Sequence, residues 1–161
     1  MSCPGAGCSR SFSSYARLAL HFESGTCPSG MTREQLNRLV VRADKNNFIT
    51  NPARLLGGPG GYEPRPSATV WATELSWNGE WYECFLCNAE FRTLDSLNRH
   101  LQSPRHDSKI YRCPKSDCRK EFVTLSGLCQ HVEGGSCGVR MFSQVRNTMK
   151  SLTGGFNRIT I

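Results

Sequence analysis

Three blocks of the chain share one pattern of apolar positions. Each block has an aromatic residue four positions after a cysteine and a leucine three positions before a histidine. The pairs are Phe12 and Leu18, Phe91 and Leu97, and Phe122 and Leu128. The pattern predicts three small units, each a hairpin followed by a helix, with the aromatic residue and the leucine filling the core between them.

Two further segments have the apolar spacing of amphipathic helices. In the first, Thr32 and Gln35 form a capping box. Its apolar stripe consists of Leu36, Leu39, Val40 and Ala43. The stripe of the second consists of Val139, Phe142, Val145, Met149 and Leu152, and Gly154 and Gly155 end that helix. We expect both stripes to pack inside the protein, with a groove for a partner as the alternative.

The middle of the chain shows different signals. Asn51-Pro52 predicts a short helix ending at Gly57, where a Gly- and Pro-rich linker begins. Residues 69–83 have the pattern of strands, and Asn78-Gly79 predicts a type I′ hairpin turn. We expect the nearby tryptophans to pack a β extension onto the second unit, with a base-stacking platform as the alternative. They are Trp71, Trp77 and Trp81.

Cysteines and histidines form three sets with a common spacing. In every set, twelve residues separate the second cysteine from the histidine, and five separate that histidine from the last member. The sets are Cys3, Cys8, His21 and Cys27; Cys84, Cys87, His100 and His106; and Cys113, Cys118, His131 and Cys137. Four sulfur and nitrogen ligands suit tetrahedral zinc, so the sequence predicts three zinc ions. We expect the ninth cysteine, Cys129, to be a spare small residue, with a reactive or ligand role as the alternative.

Disulfide bonds are the other use of so many cysteines, and the compartment decides between the two. No charged-then-apolar leader follows Met1, and no apolar run approaches the roughly 20 residues of a membrane span. We therefore expect a nuclear or nucleocytoplasmic protein that is not secreted. Units this small bury too little surface to fold alone, so zinc binding would supply the folding free energy.

The outer two sets belong to a duplicated segment. Positions 110 apart match without a gap, so that Cys3 to Cys27 corresponds to Cys113 to Cys137. The match continues beyond the last ligand. Met31, Asn37, Asn47, Ile49 and Thr50 recur as Met141, Asn147, Asn157, Ile159 and Thr160. The repeat therefore comprises a metal-binding unit, a helix and a short Asn-x-Ile-Thr segment.

The ligand spacing and the Phe and Leu positions resemble the ββα zinc-finger superfamily over residues 3–27 and 81–137. The resemblance implies a small metal-stabilised α+β fold with three fingers, of which the outer two end in cysteine and are each followed by an amphipathic helix. The run from Phe91 to His106 is similar to matrin-type and double-stranded-RNA-binding fingers. Those bind RNA duplexes largely by shape and backbone contacts. The pairing of fingers 2 and 3 resembles a group of fungal zinc-finger proteins, which implies no activity.

These patterns divide the chain into six segments. They are finger 1 (3–27), a helical extension (28–56), a linker (57–68), a β-hairpin extension with finger 2 (69–106), finger 3 (113–137) and a second helical extension (138–161).

A formal net charge of +7 favours a polyanionic partner. In finger arrays that read DNA, helix residues just before the first histidine contact base edges, so Arg17 and Arg99 could reach guanine and Gln130 could reach adenine. The candidates for phosphate contacts are Arg99, Arg105, Lys109, Arg112, Arg140, Arg146 and Lys150. The base code is thin, because Ser14, Leu20 and Gly127 occupy other reading positions. The 56 residues between fingers 1 and 2 also prevent continuous tracking along a groove.

Two functions fit these features. One is a zinc-dependent protein that binds DNA or RNA through its fingers and basic helices. The other is a zinc-scaffolded protein-interaction module, favoured by the apolar helices and the tryptophans. Neither requires a membrane or a small-molecule substrate.

An enzyme is the least favoured reading. His21-x-Glu23 and His131-x-Glu133 match half of the zinc deaminase signature. Cys84 and Cys87, however, already have two histidine partners, which leaves no open zinc position for catalysis. We expect Glu23 and Glu133 to be helix-surface residues.

Overall fold

The computed structural model describes residues 1–55, 71–138, 147 and 150. The α-helices are α1 (Tyr15–Glu23), α2 (Arg33–Ala43), α3 (Leu94–Gln102) and α4 (Leu125–Glu133). The strands are β1 (Tyr82–Glu83), β2 (Glu90–Phe91), β3 (Tyr111–Arg112) and β4 (Glu121–Phe122). These residues form two compact units: residues up to 55 with those from 109 onward (the paired unit), and residues 71–108 (the finger 2 unit). Among them, no helix is both long and apolar enough to cross a membrane.

Each finger region is a short hairpin followed by a helix, as its sequence pattern predicts. Strands β1 and β2 pair antiparallel in finger 2, and β3 and β4 pair antiparallel in finger 3. In finger 1 the hairpin is reduced to one bridge between Ser2 and Ser11. The N-cap residues of α1, α3 and α4 are Ser14, Thr93 and Thr124, whose side-chain oxygens accept hydrogen bonds from the backbone of the first turn. The fold is therefore a small α+β one.

Helices α1 and α4 pack against each other and form the centre of the paired unit. The carboxylate of Glu133, at the end of α4, accepts hydrogen bonds from Tyr15 N (2.7 Å) and Ala16 N (3.3 Å) at the start of α1. The carboxylate of Glu23, at the end of α1, accepts from Leu125 N (2.7 Å) and from the next amide of α4. Each helix thus caps the other, and the two run antiparallel.

This exchange overturns the expectation that Glu23 and Glu133 are helix-surface residues. Both are only partly exposed, and burial raises the pKa of Glu23 even though amides of α4 donate to it. Negative charge at a helix N-terminus is favourable because the unpaired amides there carry partial positive charge. The two glutamates occupy equivalent positions of the repeat, so the duplicated segments contact each other through the same pair of interactions.

Helix α2 completes the core of the paired unit by packing on α1. Its predicted capping box is present, since Thr32 Oγ1 accepts from Gln35 N and Gln35 Oε1 accepts from Thr32 N. The predicted stripe is right at Leu36 and Val40 but wrong at Ala43, which is exposed, while Val41 is buried. The apolar side of helix α2 therefore packs inside the protein, which is the interpretation that the sequence favoured over a partner groove.

The Asn-x-Ile-Thr segment folds around Asp44, the buried residue that ends α2. Its carboxylate accepts hydrogen bonds from the backbone N–H groups of Phe48, Ile49 and Thr50 at 2.8–3.0 Å. The backbone of Ile49 and Asn51 then pairs with the edge of β3 through Arg112 N and Ile110 O, both at 2.8 Å. The first copy of the repeat therefore adds its tail to the hairpin of finger 3.

The finger 2 unit differs from the prediction of strands over 69–83. Glu74–Ser76 form a 3₁₀ helix, and β1 begins only at Tyr82. The type I′ prediction is wrong, since Gly79 has a positive φ (107°) but Asn78 does not. Instead, the Asn78 side chain accepts hydrogen bonds from the backbone of residues 80 and 81, which closes a longer loop.

The tryptophans contribute unequally to the finger 2 unit. The Trp77 ring packs edge-on against Tyr82 at 5.0 Å, and the Arg92 guanidinium lies over Trp81 at 5.8 Å. Trp71 is 59% exposed. The extension is held on α3 at Ala72, whose backbone exchanges two hydrogen bonds with the Asn98 side chain.

Two predicted helices reach beyond the described residues. Pro52–Arg54 form a short 3₁₀ helix, and Leu55 is already extended, so this helix ends earlier than predicted. Of the second amphipathic helix, Asn147 and Lys150 are helical and exposed. Its predicted apolar stripe and the two glycines that end it lie outside the described residues.

We predict that Glu23→Ala and Glu133→Ala each lower the free energy of unfolding of the paired unit by about 1–2 kcal/mol, the cost of a lost N-cap. The measurement is urea unfolding followed by circular dichroism. The matched control is Asp117→Ala, which removes an exposed carboxylate of finger 3. Equal midpoints for the control and the glutamate variants would contradict reciprocal capping.

Candidate metal centres and nucleic-acid interface

The structure brings together all twelve predicted ligands, in the three predicted sets. Within each set the ligand atoms lie within 4.8 Å of one another. In each finger the hairpin presents the two cysteines, the helix presents the first histidine, and the chain just after the helix presents the fourth ligand. The constant twelve-residue gap therefore spans the second half of the hairpin and most of the helix.

The separations between ligand atoms match the edges of a tetrahedron. The sulfurs of Cys3 and Cys27 are 3.7 Å apart, as are those of Cys113 and Cys137. Four bonds of about 2.3 Å to a tetrahedral metal place the ligand atoms about 3.8 Å apart. A disulfide needs about 2.05 Å between sulfurs, so these pairs are not bridged. The donor set and the spacing both fit zinc.

Finger 2 reaches the same geometry with two histidines. Cys84 Sγ lies 3.5 Å from His106 Nε2, and Cys87 Sγ lies 3.3 Å from His100 Nε2. The two Nε2 atoms are 3.0 Å apart. His106 lies in the 3₁₀ helix Pro104–His106, which turns the chain back after α3.

The outer sites have three sulfurs each and therefore need more compensation of negative charge. Two neutral donors lie at the sulfurs of the first site: Gly5 N at 3.4 Å from Cys3 Sγ, and Ser29 Oγ at 3.1 Å from Cys27 Sγ. A Cβ on Gly5 would come within 2.9 Å of Cys27 Sγ, so glycine allows this close approach. Such contacts orient metal ligands and stabilise thiolates.

The third site has its own supporting contacts. A backbone hydrogen bond from Lys120 lowers the pKa of Cys118, which favours the thiolate. Lys115 Nζ donates to Cys137 O at 2.8 Å and places a positive charge beside the cluster. In both copies a backbone N–H two residues after the first cysteine donates to that cysteine, from Gly5 in the first site and from Lys115 in the third.

Burial also tunes the ligands for metal. It lowers the pKa of His21, His100 and His131, so these imidazoles are neutral and can donate a lone pair. It raises the pKa of Cys3 to about 12 and that of Cys113 to about 11, so metal binding at neutral pH must displace protons from these thiols.

Cys129 lies outside the three ligand sets. It is 1% exposed in the core of the paired unit, and burial raises its pKa to about 12. A buried, protonated thiol is a poor nucleophile and a poor ligand. Cys129 therefore fills space in the core, as expected for a spare small residue. Its counterpart in the repeat, Ala19, is buried in the same core.

The predicted nucleic-acid contacts that the structure describes are divided between the two units. Arg99 and Arg105 are exposed in the finger 2 unit, and Arg99 forms a solvent-exposed ion pair with Asp95 at 2.9 Å. Lys109 and Arg112 lie in the paired unit. Arg17 and Gln130 are exposed on α1 and α4, Lys150 is exposed, and Arg140 and Arg146 lie outside the described residues.

The first turns of α1 and α4 are occupied by the partner finger. A helix that reads DNA enters the major groove with its N-terminal residues. At Tyr15, Ala16 and Leu125 the backbone N–H groups already donate to a glutamate of the other finger. The carboxylates place negative charge where phosphates would approach. The match of Glu23 with Glu133 in the repeat was the one sequence feature that bears on this pairing.

Residues 82–106 match a protein family described as zinc-finger of C2H2 type. The matched segment contains both strands, α3 and all four ligands of finger 2. No curated protein and no solved structure matches the chain.

We predict that His100→Ala unfolds finger 2 and leaves the paired unit folded, whereas His21→Ala disrupts fingers 1 and 3 together. The reason is that the outer fingers share one core, while the small core of finger 2 is separate. Two-dimensional amide NMR spectra of the zinc-loaded chain measure this directly. Retention of native finger 3 peaks in His21→Ala would show that the outer fingers fold independently.

Proposed function

We propose that this chain is a nuclear or nucleocytoplasmic nucleic-acid-binding protein whose three zinc ions are structural. Three sets of four protein ligands, a C2H2 finger match and a basic net charge support the proposal. Each set supplies four ligand atoms, which fills a tetrahedral coordination sphere and keeps no position for a substrate. The role of zinc is therefore to hold the fold, and we infer no enzymatic activity.

The exposed face of α3 is the observation on which the proposal depends. Arg99, which occupies a base-reading position of α3, is exposed, and Arg105 is exposed on the turn that follows. In the outer fingers, by contrast, the first turn of each helix is capped by a carboxylate. Finger 2 is thus the finger best suited to contact nucleic acid.

Phosphate contacts suit this surface better than base reading. Arg99 and Arg105 are long cations, and the exposed ion pair of Arg99 with Asp95 costs little to break. The resemblance of finger 2 to matrin-type and double-stranded-RNA-binding fingers favours an RNA duplex, which is recognised by shape and backbone. A DNA duplex offers phosphates as well, and both are candidates.

A protein-interaction module is the second candidate. Large apolar side chains are exposed in the finger 2 unit: Trp71, Leu75, Trp77, Phe85 and Leu86, with Leu75 at 96% exposure. Exposed apolar residues in such numbers are typical of surfaces that bind other proteins. This candidate predicts binding that hardly changes with salt.

We predict that native mass spectrometry of the intact chain shows three zinc ions, and that a chelator removes them with loss of helical circular dichroism. The physical reason is that metal binding supplies the folding free energy of units this small. A stoichiometry of two or four would contradict the ligand sets.

We also predict that the chain binds 20-base-pair duplexes with an affinity that falls steeply with salt. Fluorescence anisotropy with labelled DNA and RNA, from about 50 to 200 mM salt, gives the slope. Each of Arg99→Ala and Arg105→Ala should weaken binding several-fold and reduce the slope by about 0.9, the share of one phosphate contact.

Arg38→Ala is the matched control, because Arg38 is an exposed arginine of α2 in the other unit. It should leave the affinity close to that of the unaltered chain. Equal losses in all three arginine variants would indicate an unspecific charge effect. Unchanged binding in Arg99→Ala and Arg105→Ala would remove finger 2 as the contact surface.

A further inference from the structure

A cleft in the paired unit lies outside the proposed finger 2 interface, although two of its lining residues, Cys113 and Lys115, also belong to the third metal site. It lies between residues 46–51 and the first residues of finger 3, and its volume is about 540 Å³. Ligand sites in proteins typically have about 300–1,000 Å³. The cleft is therefore large enough for one nucleotide.

Three cations line the cleft: Arg112, Lys115 and Arg119. Arg112 donates to Asn47 O at 2.6 Å, and Lys115 donates to Cys137 O. Both bonds go to neutral carbonyls, so the positive charges are not cancelled, and a guanidinium keeps further N–H donors. Arg119 is exposed, and within the described residues its side chain makes no hydrogen bond or ion pair.

The one carboxylate that lines the cleft is already engaged. Glu121 accepts a hydrogen bond from Asn51 Nδ2 and lies 3.6 Å from the Arg54 guanidinium. Its charge is thus shared with a cation outside the lining. The balance of charge in the cleft favours an anion.

An aromatic ring stands at the same cleft. Phe48 lines it and is 47% exposed, although its backbone N–H is held by Asp44 Oδ1 at 2.9 Å. The exposed surface of this ring is apolar, so covering it with a ligand is favourable. Exposed aromatic rings beside basic side chains are the recurring platform on which single-stranded bases stack.

We propose that this cleft binds one nucleotide of a single-stranded nucleic acid, with the base stacked on Phe48 and the phosphates paired with Arg112 and Arg119. A duplex does not satisfy this arrangement, because its bases are already stacked on each other. This proposal rests on the proposed function only in assuming that the ligand is a nucleic acid. Its residues belong to the paired unit and not to finger 2.

The test uses the zinc-loaded full chain and a fluorescein-labelled ten-nucleotide oligo(U), measured by anisotropy. Phe48→Ala should weaken binding on the order of 5- to 150-fold, the effect of losing one stacked base. Arg119→Ala should weaken it several-fold and reduce the salt slope by about 0.7. Phe48→Tyr is the matched control, because it keeps the aromatic face on which a base would stack. It should bind like the unaltered chain.

Two further arms identify the source of the nucleotide. Uridine monophosphate should bind at least tenfold more weakly than the oligonucleotide. Equal affinity would overturn the proposal that the ligand is a nucleic-acid strand and would indicate a free nucleotide instead. Amide shifts of the unaltered chain on adding oligo(U) should concentrate at residues 46–51 and 112–119. Shifts confined to finger 2 would overturn the site.

The outcomes also separate this site from the finger 2 interface. Phe48→Ala should keep duplex binding, and Arg99→Ala should keep oligo(U) binding. Equal oligo(U) affinity in Phe48→Ala and the unaltered chain would overturn the cleft and leave the duplex interface untouched. If Arg99→Ala loses duplex binding alone, finger 2 is supported as the duplex interface, whether or not the cleft binds oligo(U).

Discussion

The paired unit depends on one reciprocal interaction, in which a glutamate at the end of each of α1 and α4 caps the start of the other helix. A single finger of about 25 residues buries too little apolar surface to be stable without help. Metal ligation fixes each finger locally but does not by itself join one finger to another. The reciprocal capping by Glu23 and Glu133 sets the direction and register of the two helices, so that Leu18 and Leu128 enter one shared core. Helix α2 and the Asn-x-Ile-Thr tail then attach to that core.

This arrangement assigns different tasks to fingers that look alike in sequence. The outer fingers use the first turn of their helices for each other, which removes the usual groove-reading end of both. Finger 2 keeps α3 exposed and has a core built from only a few residues. The basic side chains of the chain are accordingly divided among finger 2, the described helices and the cleft near Phe48.

The ligand sets could be predicted from sequence because they depend on local spacing alone. Twelve residues from cysteine to histidine leave room for one strand and about two turns of helix, whatever surrounds them. The capping box at Thr32 is equally local. The roles of Glu23 and Glu133 could not be predicted, since both partners lie more than 100 residues away. The prediction of a type I′ turn at Asn78 was wrong for a different reason. The Asn78 side chain accepts hydrogen bonds from backbone N–H groups within the loop, and the Asn-Gly preference does not include these contacts.

The equivalence of the two capping contacts has a consequence for how such a chain can change over time. In a symmetric homodimer every interface residue meets the same surface on the other subunit, so each substitution acts twice. The paired unit has the contacts of such a homodimer within one polypeptide, and its two halves are free to differ. Ala19 and Cys129 occupy corresponding places in the core but differ in size, as do Tyr15 and Leu125 at the capped ends. Within one polypeptide a self-complementary surface can therefore become two complementary ones, because a substitution in one half leaves the other half unchanged.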